Sequence, residues 1–166
     1  MENYEIDTIN RIATKSDPLE IAVKHIVDLH TNEIQIVVHK IKDLLRDDTD
    51  QLTDAEIEDI MVQLPILLFD VTDDQEYVGL QYDLAEQIHQ EAYNEAYRMA
   101  EGTIQDKKSI AELQVQVQKL DSLIFERAYK IIKQKLTMAV EVLNAVKKIQ
   151  GARQLRYEMY RYRQRL

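Results

Sequence analysis

The residues best placed to do chemistry stand at the end of the chain. Lys147 and Lys148 lead through Arg153 and Arg156 into Tyr157, Tyr160, Arg161, Tyr162, Arg163 and Arg165. Arginine and lysine neutralise phosphates with an affinity that falls as salt rises. Tyrosine rings offer faces on which unpaired bases stack, worth ~1–3 kcal/mol per base. Cations interleaved with tyrosine therefore suit a single nucleic-acid strand. The same segment has a second use. Leu155, Met159, Tyr162 and Leu166 recur at steps of three or four, the pattern of an amphipathic helix that joins subunits, its cations favoured near a helix C-terminus. The two uses are compatible.

Other groups are less suggestive. Asp70-Val71-Thr72-Asp73-Asp74 alternates oxygens as a calcium loop does. Its sixth position is Gln75 where such a loop needs glycine, and its twelfth is Gln81 where it needs a bidentate glutamate. His25, His30, His39 and His89 do not pair at helical spacing, so no His-Glu-x-x-His metal face is formed, and His30 fits a helix seam better than a ligand set. Glu91 with Glu95, or Glu56 with Glu58 and Asp59, supplies half of a magnesium site of the kind held between facing helices, but no second half is recognisable. There is no Gly-rich phosphate loop, nucleophile elbow or Cys/His dyad. A binding protein is expected rather than an enzyme, with no cofactor and no metal.

The charge layout agrees with a binding role. Residues 1–126 hold 10 Lys/Arg against 28 Asp/Glu, net −18, whereas residues 127–166 hold 11 against 2, net +9. Segregation on this scale points to an interaction tail or to a head-to-tail contact between subunits, and also fits a basic tail packed on the acidic half. The chain has no cysteine, which removes disulfides and thiolate metal sites. Its first residues are acidic, unlike a secretory signal, and no run approaches the ~20 apolar residues of a membrane span. A cytoplasmic protein without a membrane partner is the expectation.

The elements that must position the tail are helical. Three glycines and two prolines in 166 residues, with 45% hydrophobic and 31% charged residues, describe long helices. Asp17-Pro18-Leu19-Glu20 predicts a helix start, with Asp17 as cap and Pro18 in the first turn. Leu19, Val23, Ile26, His30, Ile34, Val37, Ile41 and Leu44 then make one stripe up to a loop at Asp47-Asp48-Thr49-Asp50. Thr53-Asp54-Ala55-Glu56 opens a short helix that Pro65 should end or kink. Residues 65–76 stay undecided between strand, helical turn and buried linker. From about Tyr77 a further stripe, Leu80, Leu84, Ile88, Ala92, Ala96 and Met99, leads to a C-cap at Gly102.

A near-heptad series follows over roughly 40 residues: Ile110, Leu113, Val117, Leu120, Ile124, Ala128, Ile131, Leu136, Ala139, Leu143, Val146 and Ile149. Ile124, Ile131 and Leu143 are predicted core positions. The short connection at residues 102–106 makes the last two long helices antiparallel neighbours. The fold class is all-α: a long, coiled-coil-like antiparallel helical hairpin at 77–150, with an acidic N-terminal helical region at 1–76 and a basic tail or helix extension at 151–166.

The block Glu126-Arg127-Ala128-Tyr129-Lys130-Ile131-Ile132-Lys133, then Glu141-Val142-Leu143-Asn144-Ala145-Val146-Lys147-Lys148-Ile149-Gln150 with Arg153 and Glu158, resembles the C-terminal helix of UvsY-like phage recombination mediators. Glu91-Ala92-Tyr93-Asn94-Glu95-Ala96-Tyr97-Arg98 and the short turn after it are similar too, so the likeness covers roughly residues 85–158. It implies a homo-oligomer in an infected bacterial host that binds single-stranded DNA and helps load a strand-exchange recombinase against a single-strand-binding protein. The family's basic cluster near the hairpin turn corresponds loosely to Arg98, Lys107 and Lys108, but Glu101 and Asp106 sit among them, which moves the expected DNA contact to the tail. The alternative is a non-enzymatic interaction component, a phage structural or defence-inhibiting protein, whose acidic face mimics DNA before a basic partner.

Overall fold

The computed structural model describes the backbone of residues 2–47 and 52–164, and side chains over 18–45 and 52–164. These residues form α1 (Glu2–Asp47), α2 (Asp54–Met99), α3 (Ile104–Gln114) and α4 (Gln116–Arg163), and none of them lies in a strand. The all-α class and the long hairpin follow, α2 and α4 being its arms. The loop expected at residues 47–50 falls, apart from the last helical residue Asp47, outside the described residues.

Two expected boundaries are corrected. α1 begins at Glu2 rather than at Asp17, and Pro18 lies inside it. Upstream of the proline, Ile6, Ile9 and Ile12 already recur at helical steps, and a helix can carry one missing hydrogen bond where its stripe continues. α2 runs unbroken through Pro65, so residues 65–76 are helix, and the helix expected from Tyr77 starts at Asp54. The reason is a buried seven-residue repeat, Ile57, Leu64, Val71, Val78 and Ala85, that crosses the proline in register. Pro65 itself is exposed. Pro65→Ala should therefore restore a backbone hydrogen bond without losing burial, and raise the thermal midpoint by about 3–10 °C in a circular dichroism melt.

The start of α2 has the capping box that its sequence announces. Thr53 N–H donates to Glu56 Oε2 at 2.8 Å, and Glu56 N–H donates to Thr53 Oγ1 at 3.2 Å. The backbone bond to its carboxylate foremost, and then one from the Thr53 hydroxyl to the same oxygen at 2.8 Å, hold the Glu56 carboxyl below its ordinary pKa.

The chain divides into two compact units, each threaded by the long helices. The first comprises Met1–His30 and Gln75–Ile132. In it α2 and α4 run antiparallel: Gln75 Nε2 donates to the Tyr129 hydroxyl at 3.3 Å, and eleven residues further along α2, Glu86 accepts from Ser122 Oγ at 2.7 Å. Gly79 lies under the Tyr129 ring, where an added Cβ would come within 3.2 Å of a ring carbon, which accounts for glycine inside this helix. Ala96, Ala111 and Val115 form a small core with Ala92, Tyr93 and Tyr97 packed on it.

α2 ends at Met99, and Gly102 turns the chain with φ +108°, a conformation that favours glycine, as its predicted role as terminator requires. Thr103 then caps α3. Its backbone N–H and hydroxyl donate to Asp106 Oδ2 at 3.0 and 2.7 Å, and Asp106 N–H donates back to Thr103 Oγ1 at 3.3 Å. The side-chain bond from Thr103, followed by the backbone one, lowers the Asp106 pKa. A depressed carboxylate stabilises the fold above its unfolded pKa, and that contribution is lost as pH falls through the folded value. Thr103→Ala should lower the melting midpoint by about 2–4 °C at pH 7, and the gap to wild type should narrow in acid as Asp106 protonates.

The series expected as one helix from Ile110 is divided at Val115, whose ψ of 17° interrupts the helix between α3 and α4. Backbone bonds persist on both sides, from Val115 N–H to Ala111 O and from Lys119 N–H to Val115 O. The buried Val115 faces the Ala96 core at this break.

The second unit comprises Thr31–Asp74 and Lys133–Leu166. Its buried residues are Ile34, Val38 and Ile41 of α1, Ile57, Ile60, Leu64 and Val71 of α2, and Leu136, Ala139, Leu143 and Val146 of α4, together with Leu52, two residues before α2. Two polar contacts tie its helices: Lys135 Nζ donates to Gln35 Oε1 at 2.7 Å, and Arg153 pairs with Asp54 at 3.0 Å.

Three predicted stripes meet different fates. On α1, Val23, Ile34 and Ile41 are buried as expected. On α2, Leu80, Leu84, Ile88 and Met99 are exposed, and Val78 and Ala85 take their place. On α3 and α4, Leu113, Val117 and Leu120 are exposed, while the series is right from Ala128 through Ala139, Leu143 and Val146 except at one point: Ile132 is buried completely and Ile131 only in part. Of the three named core residues, Leu143 is buried and Ile124 and Ile131 are half-buried.

Candidate nucleic-acid interface

The basic segment is a direct continuation of α4, which stays helical through Gly151 to Arg163. Nothing within 4 Å of Gly151 would obstruct a side chain there. An ion pair ties α4 to the bundle at Arg153 with Asp54, the first residue of α2. Since α2 begins there and runs the other way, the ten residues 154–163 extend past it, and all of them are exposed. At ~1.5 Å per residue this is about 15 Å of overhanging helix.

Three stripes run along the overhang. Arg156, Tyr160 and Arg163 stand at i, i+4 and i+7, and beside them Arg153, Tyr157 and Arg161 stand at i, i+4 and i+8. These two adjacent stripes alternate cation and ring. The third, Leu155, Met159 and Tyr162, is centred about 100° round the helix from the Arg156 stripe and opposite Tyr157. Tyr157, Tyr160 and Tyr162 are 62%, 62% and 74% exposed, enough to leave ring faces available to a planar ligand.

The sequence-predicted residues do not form one cluster. Lys147 and Lys148 are exposed on α4 one to two turns before the overhang. Arg153 is turned to the bundle: its side chain is 15% exposed and its charge is answered by Asp54. It lines a cleft of about 140 Å³ together with Asp54, Glu58, Gln150, Gln154 and Tyr157, and the two carboxylates there oppose a phosphate. Arg156, Arg161 and Arg163 are exposed. Arg165 lies outside the described residues. Lys107 is half-buried and Lys108 exposed, both in the first turns of α3, and they belong to the first unit while the overhang belongs to the second. Arg98 donates to Asn94 O at 3.3 Å.

The Asp54 partner of Arg153 was not marked in the sequence, because two residues separated by 99 positions carry no periodic signal. The oxygen-rich segment from Asp70 to Glu76 is part of α2, so it does not wrap as a calcium loop. Among the described residues, no group of three or more His, Cys, Asp or Glu is arranged to hold a metal ion, and no helix is long and apolar enough to cross a membrane. Comparison of the chain with protein-family models, with curated proteins and with solved structures finds no match.

Proposed function

We propose that the protein is a single-stranded DNA-binding recombination mediator, acting as a homo-oligomer, that helps load a strand-exchange recombinase against a single-strand-binding protein. The observation that carries the DNA-binding part is the overhang of α4, where the exposed Arg156, Arg161 and Arg163 alternate with exposed tyrosines beyond the first residue of α2. A single strand is favoured over a duplex because stacking needs unpaired bases, and the two cation–ring stripes provide charge and ring faces side by side. The acidic remainder of the chain repels nucleic acid and confines contact to this end. The recombinase-loading part is supported by the likeness of residues 85–158 to UvsY-like mediators.

A second function is favoured by α2, which carries 12 Asp/Glu against one Lys/Arg and presents an acidic surface to any basic partner. The two are separated by titrating a fluorescent single-stranded oligonucleotide with the full chain over a series of salt concentrations. The mediator binds, and its affinity falls linearly on a log–log plot against salt. No binding at low salt removes the mediator and leaves the acidic interaction protein.

A further inference from the structure

Within the first unit, the outer side of α2 carries an apolar stripe of exposed residues, Tyr77, Leu80, Leu84 and Ile88, at steps of three and four, with the Tyr77 ring at its start tilted against the His30 ring of α1 at 6.2 Å between centroids. Its charged neighbours are carboxylates, Glu76 and Asp83 along one edge and Glu91 at the end. The overhang of α4 carries a second exposed stripe of the same spacing, Leu155, Met159 and Tyr162, and its charged neighbours are Lys148, Arg156 and Arg163 against one carboxylate, Glu158. Four apolar side chains across roughly three turns of a helix make a contiguous patch of the kind that marks an interaction site, and the identity of the flanking charges selects what fits it.

We propose that these stripes are the two halves of one interface, the α4 overhang of one copy docking on the α2 stripe of the next. The partner is a second copy of this chain. Charge complementarity chooses it: an acid-edged apolar stripe opposes association with another acid-edged stripe, and the chain itself supplies a basic-edged stripe with the same three-and-four spacing. The docking is heterologous, because different surfaces of the two copies meet, so repetition closes a ring or extends a filament rather than stopping at a symmetric dimer. The stripe used is centred about 100° round the helix from the Arg156 and Tyr160 stripe, with Arg163 at the boundary, so docking engages Arg163 at its edge while Tyr157 and Arg161 face away from it. The inference rests on the oligomeric part of the proposed function and not on its nucleic-acid part, and it is tested without nucleic acid.

Two variants of the full chain are compared with wild type by sedimentation velocity at tens of micromolar. Leu80→Glu with Leu84→Glu spoils the α2 stripe, and Leu155→Glu with Met159→Glu spoils the overhang stripe. All four positions are exposed, so each variant should keep the wild-type helical circular dichroism and thermal midpoint. Wild type should form species larger than a dimer that shrink as salt rises. Each variant alone should be monomeric, and an equimolar mixture of the two should form a 1:1 dimer, because each variant retains the half that the other lacks. A third variant, Lys148→Glu with Arg163→Glu, should weaken wild-type association at least about tenfold through the edge charges alone. A monomeric wild type, unchanged assembly in either double variant, or a mixture that stays monomeric would each overturn the proposal.

Discussion

Ile132→Asp is expected to unfold the chain, while Ile131→Asp, one residue away, is expected to leave it folded. Ile132 is 0% exposed, on the face of α4 that also buries Ala128, Leu136 and Ala139. An aspartate there must either stay charged in an apolar seam or take up a proton, and either choice costs several kcal/mol. Domains of this size are stable by ~5–15 kcal/mol in all, so the change removes most of the margin. Ile131 points about 100° further round the helix and is only half-buried, so its carboxylate reaches water, and the midpoint should fall by only a few degrees. Circular dichroism melts of the two variants check this directly. Equal loss in both, or none in Ile132→Asp, would mean that the seam of α4 is out of register.

That contrast also shows where the sequence is legible and where it is not. Helical content, the capping box at Thr53, the turn at Gly102 and the burial of Leu136, Ala139, Leu143 and Val146 all follow from local signals, since caps and periodicity act over one or two turns. The failures have one cause: loss of phase over distance. Pro65 reads locally as a helix end, which hides the repeat Ile57, Leu64, Val71, Val78 and Ala85 that crosses it, and the period that resumes at Tyr77 falls on the large apolar residues Leu80, Leu84 and Ile88. Those residues are as hydrophobic as the true seam, and composition alone does not say which of two stripes faces inward. The buried stripe near the turn is the less hydrophobic one. It is made of Ala85, Ala96 and Ala111, with Ser122 on α4, because closely approaching helices accept small side chains. In the candidate site, charge and ring spacing were visible as a list. The Leu155, Met159 and Tyr162 stripe is legible from its spacing, but the inward turn of Arg153 requires a continuous helix through Gly151, and glycine argues against one locally.

Charge and stacking on the overhang should separate in a single-strand binding assay, and the helix tells which residues to change. Arg161→Ala with Arg163→Ala removes two phosphate-facing cations, one from each cation–ring stripe, and because Arg163 also edges the docking stripe, binding is compared where sedimentation gives the variant and wild type the same assembly state. Each single-strand phosphate contact contributes about 0.7 to the slope of log affinity against log salt, so the pair should weaken binding and flatten the slope by about 1.4. Tyr157→Ala with Tyr160→Ala removes the two rings that share those stripes while keeping every cation. At ~1–3 kcal/mol per stacked base, the loss should be at least about fivefold with the slope nearly unchanged. Tyr162 is excluded from the pair because it stands with Leu155 and Met159 in the docking stripe, where its loss would also disturb assembly. All of the altered residues are exposed, Tyr157 also lining the cleft at Asp54, so melting midpoints should stay within a few degrees of wild type. If the arginine pair leaves the slope where it was, the phosphates lie elsewhere, and Lys107 and Lys108 at the start of α3 become the residues to change. If the tyrosine pair has no effect while the arginine pair does, the overhang binds polyanions without reading unpaired bases, and its preference for single strands disappears against a duplex of the same length.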